Sequence, residues 1–275
     1  MIALSPRTSH VHERNGSALH AWTWGPDDGP WIAMSHGATM DHRMFDPQIP
    51  ALTGAGYRVM TWDLRGHGRS KPLGKTPLTI RDLTEDWLTI LDELGATAPL
   101  GFVGQSLGSY LVQDLVLRHP ERVSCLVVIG GTCTTAPISW WESLALKSSP
   151  FWLRLWPDAS LRRAVAKATA LRPEVQAYAL EATQQLDARE FFQVWNAVAG
   201  AIQPRPGYRI EQPLLLTHGD RDRTGNIAKI APRWAIRDPR CRYEVIPNAS
   251  HNANQDNPEV FNRILLEFLR EHHPV

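Results

Sequence analysis

Short apolar runs alternate with amphipathic segments along most of the chain. Trp31–Ser35, Arg58–Trp62, Leu100–Val103, Val123–Ile129, Pro213–Thr217 and Arg242–Ile246 are mostly apolar and bounded by Gly, Pro, Asp or Asn. Runs of that length and bounding read as strands covered on both faces. Ahead of them, Ser17–Trp24 and the region around Val11 form an expected antiparallel edge hairpin turning at Asn15-Gly16.

The intervening segments carry helical spacing. Leu78–Leu94 places Ile80, Leu83, Trp87, Leu91 and Leu94 three or four residues apart and stops at Gly95. Leu107–His119 reads as a helix ending before Pro120. The last segment takes Asn257 as cap and Pro258 in the first turn, then repeats Val260/Phe261, Ile264/Leu265 and Phe268/Leu269. Strand–helix alternation of this kind predicts an α/β fold, a mostly parallel sheet with helices on both faces.

One stretch breaks the alternation. From about Thr132 to Arg205 the pattern is helical only, interrupted at Pro137, Pro150, Pro157 and Pro173. Trp140, Trp141, Trp152, Trp156 and Trp195 all fall in it, out of eleven tryptophans in the chain. The expected organisation is a core of residues 1–131 and 206–275, with a helical cap of 132–205 inserted between core strands. An ordinary helical layer with its own core is the plainer alternative.

Composition narrows the class further. A chain of 275 residues can bury roughly 75% of its unfolded surface, enough for one large domain. With 29 basic against 28 acidic residues there is no concentrated basic face of the kind nucleic acid requires, so no nucleic-acid partner is expected. No apolar run is long enough to span a bilayer, and the start lacks the apolar stretch of a secretory signal, so no membrane partner is expected. Cys125, Cys133 and Cys241 are odd in number and without metal-ligand spacing, which points to reduced thiols and a cytoplasmic location.

The chemistry concentrates at three places. Gly104-Gln105-Ser106-Leu107-Gly108 follows an expected strand and opens an expected helix, the context a G-x-S-x-G nucleophile turn requires. A serine hydroxyl needs a base to take its proton, and the base needs a third group to hold it. His218-Gly219-Asp220-Arg221-Asp222 follows a later strand, and Pro247-Asn248-Ala249-Ser250-His251 follows the last one. Both lie just past carboxyl strand ends, where open α/β sheets collect ligands. His251 is the candidate base, while Asp220 and Asp222 compete as the acid, Asp222 having completed the turn after Gly219. A developing oxyanion needs backbone donors; the N–H of Leu107 is one, and Ser35-His36-Gly37-Ala38 can supply another at Ala38.

These landmarks, together with Asp63-Leu64-Arg65-Gly66-His67-Gly68-Arg69-Ser70 and Pro258-Glu259, resemble the α/β-hydrolase superfamily, in particular its small esterase-like members with a helical cap. The resemblance covers nearly the whole chain. It implies a Ser106–Asp222–His251 triad, an oxyanion hole at Ala38 and Leu107, and an architectural Asp63–Ser70 loop. It implies neither cofactor nor metal. Epoxide hydrolases and haloalkane dehalogenases of the superfamily use an aspartate at the elbow, where this chain has Ser106. Carbon–carbon-bond hydrolases usually carry a more glycine-rich run than Ala38-Thr39-Met40-Asp41. The expected activity is therefore hydrolysis of a small-molecule carboxylic ester, with carbon–carbon cleavage, perhydrolysis, acyl transfer and a receptor role as alternatives. Met40, Trp140 and Trp141, with Met44, are expected pocket residues.

Overall fold

A computed structural model describes residues 7–75, 78–154 and 156–275. Eight strands form one sheet: β1 (Thr8–Arg14), β2 (Ser17–Trp24), β3 (Trp31–Ser35), β4 (Arg58–Trp62), β5 (Leu100–Gln105), β6 (Val123–Ile129), β7 (Leu214–Gly219) and β8 (Cys241–Ile246). Their spatial order is β1-β2-β4-β3-β5-β6-β7-β8. From β4 to β8 every pairing is parallel, while β2 runs antiparallel to both β1 and β4. Asn15 and Gly16 both take positive φ, 54° and 75°, which is the backbone a two-residue hairpin turn with right-handed strand twist demands.

Alternate residues of the central strands feed two cores. Phe102, Leu126, Val128, Leu214 and Leu216 face one side, and Val103, Val127, Ile129 and Leu215 the other. The first side is covered by α2 (Ile80–Glu93), α3 (Leu107–Arg118) and α8 (Ile227–Arg237), through Trp87, Leu111 and Trp234 among others. The second is covered by α1 (Ile49–Gly54) and α10 (Pro258–His272), through Leu52, Phe261 and Phe268. The two-sided burial explains why these strands are near-continuous apolar runs.

Between β6 and β7 the chain makes four helices: α4 (Trp140–Arg154), α5 (Asp158–Thr169), α6 (Pro173–Gln184) and α7 (Ala188–Ala199), with no strand among the described residues. Pro173 opens α6 and Pro157 precedes α5, but α4 continues through position 150 rather than breaking there. A short α9 (Ala253–Asp256) follows β8. Among the described residues no helix is long and apolar enough to cross a membrane.

Candidate active site

The parallel sheet points the ends of β5, β6, β7 and β8 at one rim, and the site residues sit there. Ser106 is the single residue between β5 and α3, at φ 50° and ψ −113°. A non-glycine residue in that region costs on the order of 1–3 kcal/mol, so its surroundings must hold it. They do so through close packing: a Cβ on Gly104 would collide with the Gly108 carbonyl, and one on Gly108 with the Ser35 carbonyl. The Ser106 N–H donates to Ile129 O at 2.8 Å, fixing the turn to β6. Its side chain does not cap α3, so the hydroxyl is left for other work.

Asp222 and Asp220 part company after β7. The Asp220 carboxylate accepts the Ala249 N–H at 3.1 Å and faces Arg221, bracing the two loops. Asp222 turns inward, accepts the Thr224 N–H at 2.8 Å through Oδ1, and lies 3.0 Å through Oδ2 from His251 Nδ1. Burial raises the affinity of the Asp222 carboxyl for its proton, but the hydrogen bonds and charge of His251 and Thr224 outweigh it and hold the group below the usual carboxylate range. A neighbouring glycine shapes the imidazole's seat: a Cβ on Gly130 (φ 57°) would stand 3.0 Å from His251 Nδ1. Among the described residues no hydrogen bond joins Ser106 Oγ to His251 Nε2. Contacts of this kind are often long until a substrate is bound.

Leu107 directly follows the serine, and Ala38 follows Gly37, which packs against the elbow. Among the described residues neither N–H donates to the protein, which leaves both able to meet an oxyanion. Gly37 is pressed against the elbow, since a Cβ there would overlap the Gln105 amide and reach 3.1 Å from Ser106 Cβ. Gln105 had no distinguishing sequence signal, yet its Nε2 donates to His251 O at 3.2 Å and Asn252 Oδ1 at 3.3 Å, tying the elbow to the His251 loop. Asp256 is equally silent in the sequence. Its carboxylate accepts N–H groups from Ser250, Leu171 and Arg172 at 2.8, 3.0 and 3.1 Å, pinning the α5–α6 corner to the His251 loop.

The loop from Asp63 to Ser70 is held by buried hydrogen bonds and an ion pair. Asp63 accepts the His42 and Arg69 N–H groups, both at 2.8 Å. Arg65 grips Asp86 with no solvent contact on either side chain. His36 Nε2 accepts the Leu64 N–H and His67 Nε2 the Thr39 N–H, at 2.9 and 3.1 Å. Both rings are neutral acceptors because burial lowers their proton affinity, His67 to about 3. Asp41, His42 and Asp63 gather three potential ligand atoms within 4.8 Å, but Arg43 holds Asp41 and His42 holds Asp63, so the group is occupied by protein partners.

A cavity of about 510 Å³ adjoins the site, lined by Tyr110, Ile138, Leu146, Trp195, Ile227 and Ile230 among others. Its Thr224 wall is the residue whose N–H holds Asp222. Three of the expected pocket residues, Met40, Trp140 and Trp141, do not line this cavity. Trp140 and Trp141 stand outside this cavity, 76% and 48% exposed and stacked on one another at 4.7 Å between ring centroids. The α4 residues that face the cavity are Glu142, Ala145 and Leu146, so the helix turns a different side inward than its tryptophan pair. Met40, only 2% exposed, packs with Met34, Met44 and Phe45 in the core beneath the rim.

An elbow serine at positive φ, an aspartate-held histidine and this strand order together define an α/β hydrolase. Residues 30–257 match the family described as serine aminopeptidase, S33, and the chain belongs to that family. It is 26% identical over 261 residues to 3-oxoadipate enol-lactonase 1 of Acinetobacter baylyi, spanning 94% of this chain and 96% of that protein. The crystal structure of an enol-lactonase from Burkholderia xenovorans superposes with a TM-score of 0.81 at 26% identity, covering 94% and 99% of the two chains. Epoxide hydrolase B of Mycobacterium tuberculosis is 34% identical over 152 residues, 54% of this chain and 41% of that protein. Hydrolysis is the activity these similarities share.

Proposed function

We propose that the chain is a serine esterase that cleaves small carboxylic esters, cyclic ones included, through an acyl-enzyme on Ser106. The observation that carries this reading is the His251 imidazole held 3.0 Å from Asp222 beside a serine kept at positive φ. In this mechanism His251 Nε2 takes the Ser106 proton as Oγ attacks the ester carbonyl. Asp222 orients the ring and stabilises the imidazolium. The N–H groups of Ala38 and Leu107 hold the oxyanion, a contribution of about 3–4 kcal/mol per donor. His251 then protonates the leaving alkoxide, and water, deprotonated by the same ring, releases the acid and restores Ser106. In a lactone the leaving alcohol stays attached to the acyl group, and the product is one open hydroxy acid.

Helices α4–α7, within residues 132–205, serve as the cap over this rim. The apolar cavity of about 510 Å³ between α4 and α7 on one side and α3 and α8 on the other takes the acyl group, a size within the range of small-molecule sites. The full-length likeness to two enol-lactonases supports an ester-type bond, since a lactone is a cyclic ester. The partial likeness to an epoxide hydrolase carries less, because the elbow here bears serine. The free cysteines fit a cytoplasmic location.

The test is hydrolysis of p-nitrophenyl esters of rising acyl length by the parent and by Ser106→Ala. The expected result is turnover in the parent and a fall on the order of 10⁴-fold or more in the variant. Equal turnover in both, or a folded parent inert on every ester, would overturn the reading. Inertness would favour carbon–carbon cleavage, acyl transfer or a receptor role.

A further inference from the structure

The aromatic side chains of α4 that the apolar cavity does not use gather on another side of the helix. Trp140, Trp141, Leu144, Phe151 and Trp152, with Trp156 just past the helix end, are all 48–76% exposed. They make up more than half of the large exposed apolar side chains among the described residues. The spacing explains the grouping. Positions 140, 144 and 151 share one helical stripe and 141 and 152 the stripe beside it, whereas Glu142, Ala145 and Leu146 take the side that lines the cavity. At roughly 200 Å² for a whole aromatic side chain, the five aromatic ones alone leave on the order of 600 Å² in water, as much as the largest patch on an ordinary soluble monomer. An apolar face of that size marks a docking surface.

The charges around this face select its partner. Lys147 lies between Leu144 and Phe151 on the first stripe, Arg154 follows one turn later, and Arg189 of α7 lines a surface hollow together with Arg154. All three are exposed. Among the described residues none of them has an ion pair, because the acidic residues of 132–205 are engaged elsewhere. Glu142 accepts the Ser139 N–H at 2.9 Å and its hydroxyl at 2.7 Å. Asp158, Glu174, Glu181 and Glu190 pair with Arg162, Arg172, Arg43 and Lys71, and Asp187 caps α7. The face is thus aromatic and positive, with no unengaged carboxylate. A second copy seated on it about a two-fold axis would set these cations against the same cations. Anionic headgroups over acyl chains meet both features at once. They neutralise Lys147, Arg154 and Arg189, and they offer the boundary where an indole ring, apolar with one N–H, sits best.

We propose that the outer face of α4 docks the protein on an anionic lipid surface, with Trp140, Trp141, Phe151 and Trp152 entering the headgroup boundary and Lys147, Arg154 and Arg189 meeting its charge. The helix lies in the plane of the bilayer and does not cross it. Its 15 residues rise about 22 Å against a hydrocarbon core of about 30 Å. The lack of a spanning run in the chain does not bear on such docking, which needs only one apolar helical face beside cations. The inference is independent of the serine-esterase reading, since none of these residues has a part in the proposed chemistry at Ser106.

The test is co-sedimentation of the full chain with phosphatidylcholine vesicles, either plain or with one lipid in three replaced by phosphatidylserine. The parent is expected to bind the anionic vesicles about 10-fold or more tightly than the plain ones, since each basic residue near the surface adds on the order of fivefold. Added salt should bring the two affinities together. The double variant Trp140→Ser with Trp152→Ser, with melting temperature as a folding control, should bind the anionic vesicles about 10-fold or more weakly than the parent. Lys147→Gln with Arg189→Gln should lose most of the preference for anionic lipid. Quenching of the parent's tryptophan emission by bromine-labelled lipid needs no variant and should accompany binding. Three results would overturn the proposal. A parent that binds neither vesicle, or binds without quenching, has no tryptophan face in lipid. A folded tryptophan variant that binds as the parent does places the docking surface elsewhere. A parent that is dimeric by light scattering and becomes monomeric in the tryptophan variant assigns the face to a second copy.

Discussion

His251 Nδ1 and Asp222 Oδ2 lie 3.0 Å apart although 29 positions separate them in the chain. The bond forms because β7 and β8 are adjacent and parallel, with Gly219 opposite Ile246, so the loops leaving them start side by side. Replacing Asp222 with Asn should leave the backbone in place and let the imidazole adopt the wrong tautomer. We expect kcat to fall by about 10³–10⁴-fold with a small change in melting temperature. A full-rate Asp222→Asn variant would show that Asp222 does not orient the base.

Gly130 offers an independent probe of the same ring. An alanine there brings Cβ to 3.0 Å from Nδ1 and forces a side chain onto φ 57°. The strain should cost about 1–3 kcal/mol of stability, and the displaced ring should lower kcat by at least about tenfold. Melting temperature and kcat measured together check this. A stable and fully active Gly130→Ala enzyme would contradict the packing account.

The pocket assignment separates two groups of tryptophans. Trp195 lines the apolar cavity, whereas Trp140 and Trp141 are stacked outside it. Ile230→Trp, which fills the cavity, should move the optimum of the p-nitrophenyl series to shorter acyl groups, and Trp195→Ala to longer ones. Trp140→Ala and Trp141→Ala should leave the optimum where it is. A shifted optimum in either of the last two would put the acyl group on the outer face of α4.

Acid should begin to destabilise the protein before its ordinary carboxylates titrate. Burial, with the nearby His36, lowers His67 to about 3, against about 6.5 in an unfolded chain. Between these values the unfolded chain binds a proton that the folded chain refuses, so stability falls as pH is lowered through that window. Burial acts on His36 in the same direction. Melting temperature should therefore drop progressively below about pH 6.5, with a shallower slope in His67→Gln despite its lower starting value. An unchanged slope would mean that His67 takes up its proton without unfolding.

Much of this fold was legible because local pattern and burial coincide. Trp31–Ser35, Arg58–Trp62 and Val123–Ile129 are strands end to end, since each apolar run is bounded by residues that cannot continue it. Boundaries moved where tertiary contacts decide them: β5 extends into Gly104-Gln105 to build the elbow, and α2 starts at Ile80 because Thr79 caps it by accepting the Asp82 N–H. Ser106, Asp222 and His251 stood out through their order and their places after strands. Gln105, Gly130 and Asp256 did not, because each acts through partners far away in the chain and leaves no periodic trace. The outward tryptophans of α4 were unreadable for a related reason: helical spacing says which residues share a face, not which face the protein covers.

The most direct measurement is the fate of Ser106 Oγ itself. Treating the folded protein with a fluorophosphonate and mapping the adduct by peptide mass spectrometry asks whether this hydroxyl is the activated nucleophile. Stoichiometric labelling of Ser106 is expected, absent in Ser106→Ala, much slower in His251→Ala, and accompanied by loss of ester turnover. Labelling at another residue, or an unlabelled protein that still hydrolyses esters, would contradict an acyl-enzyme on Ser106.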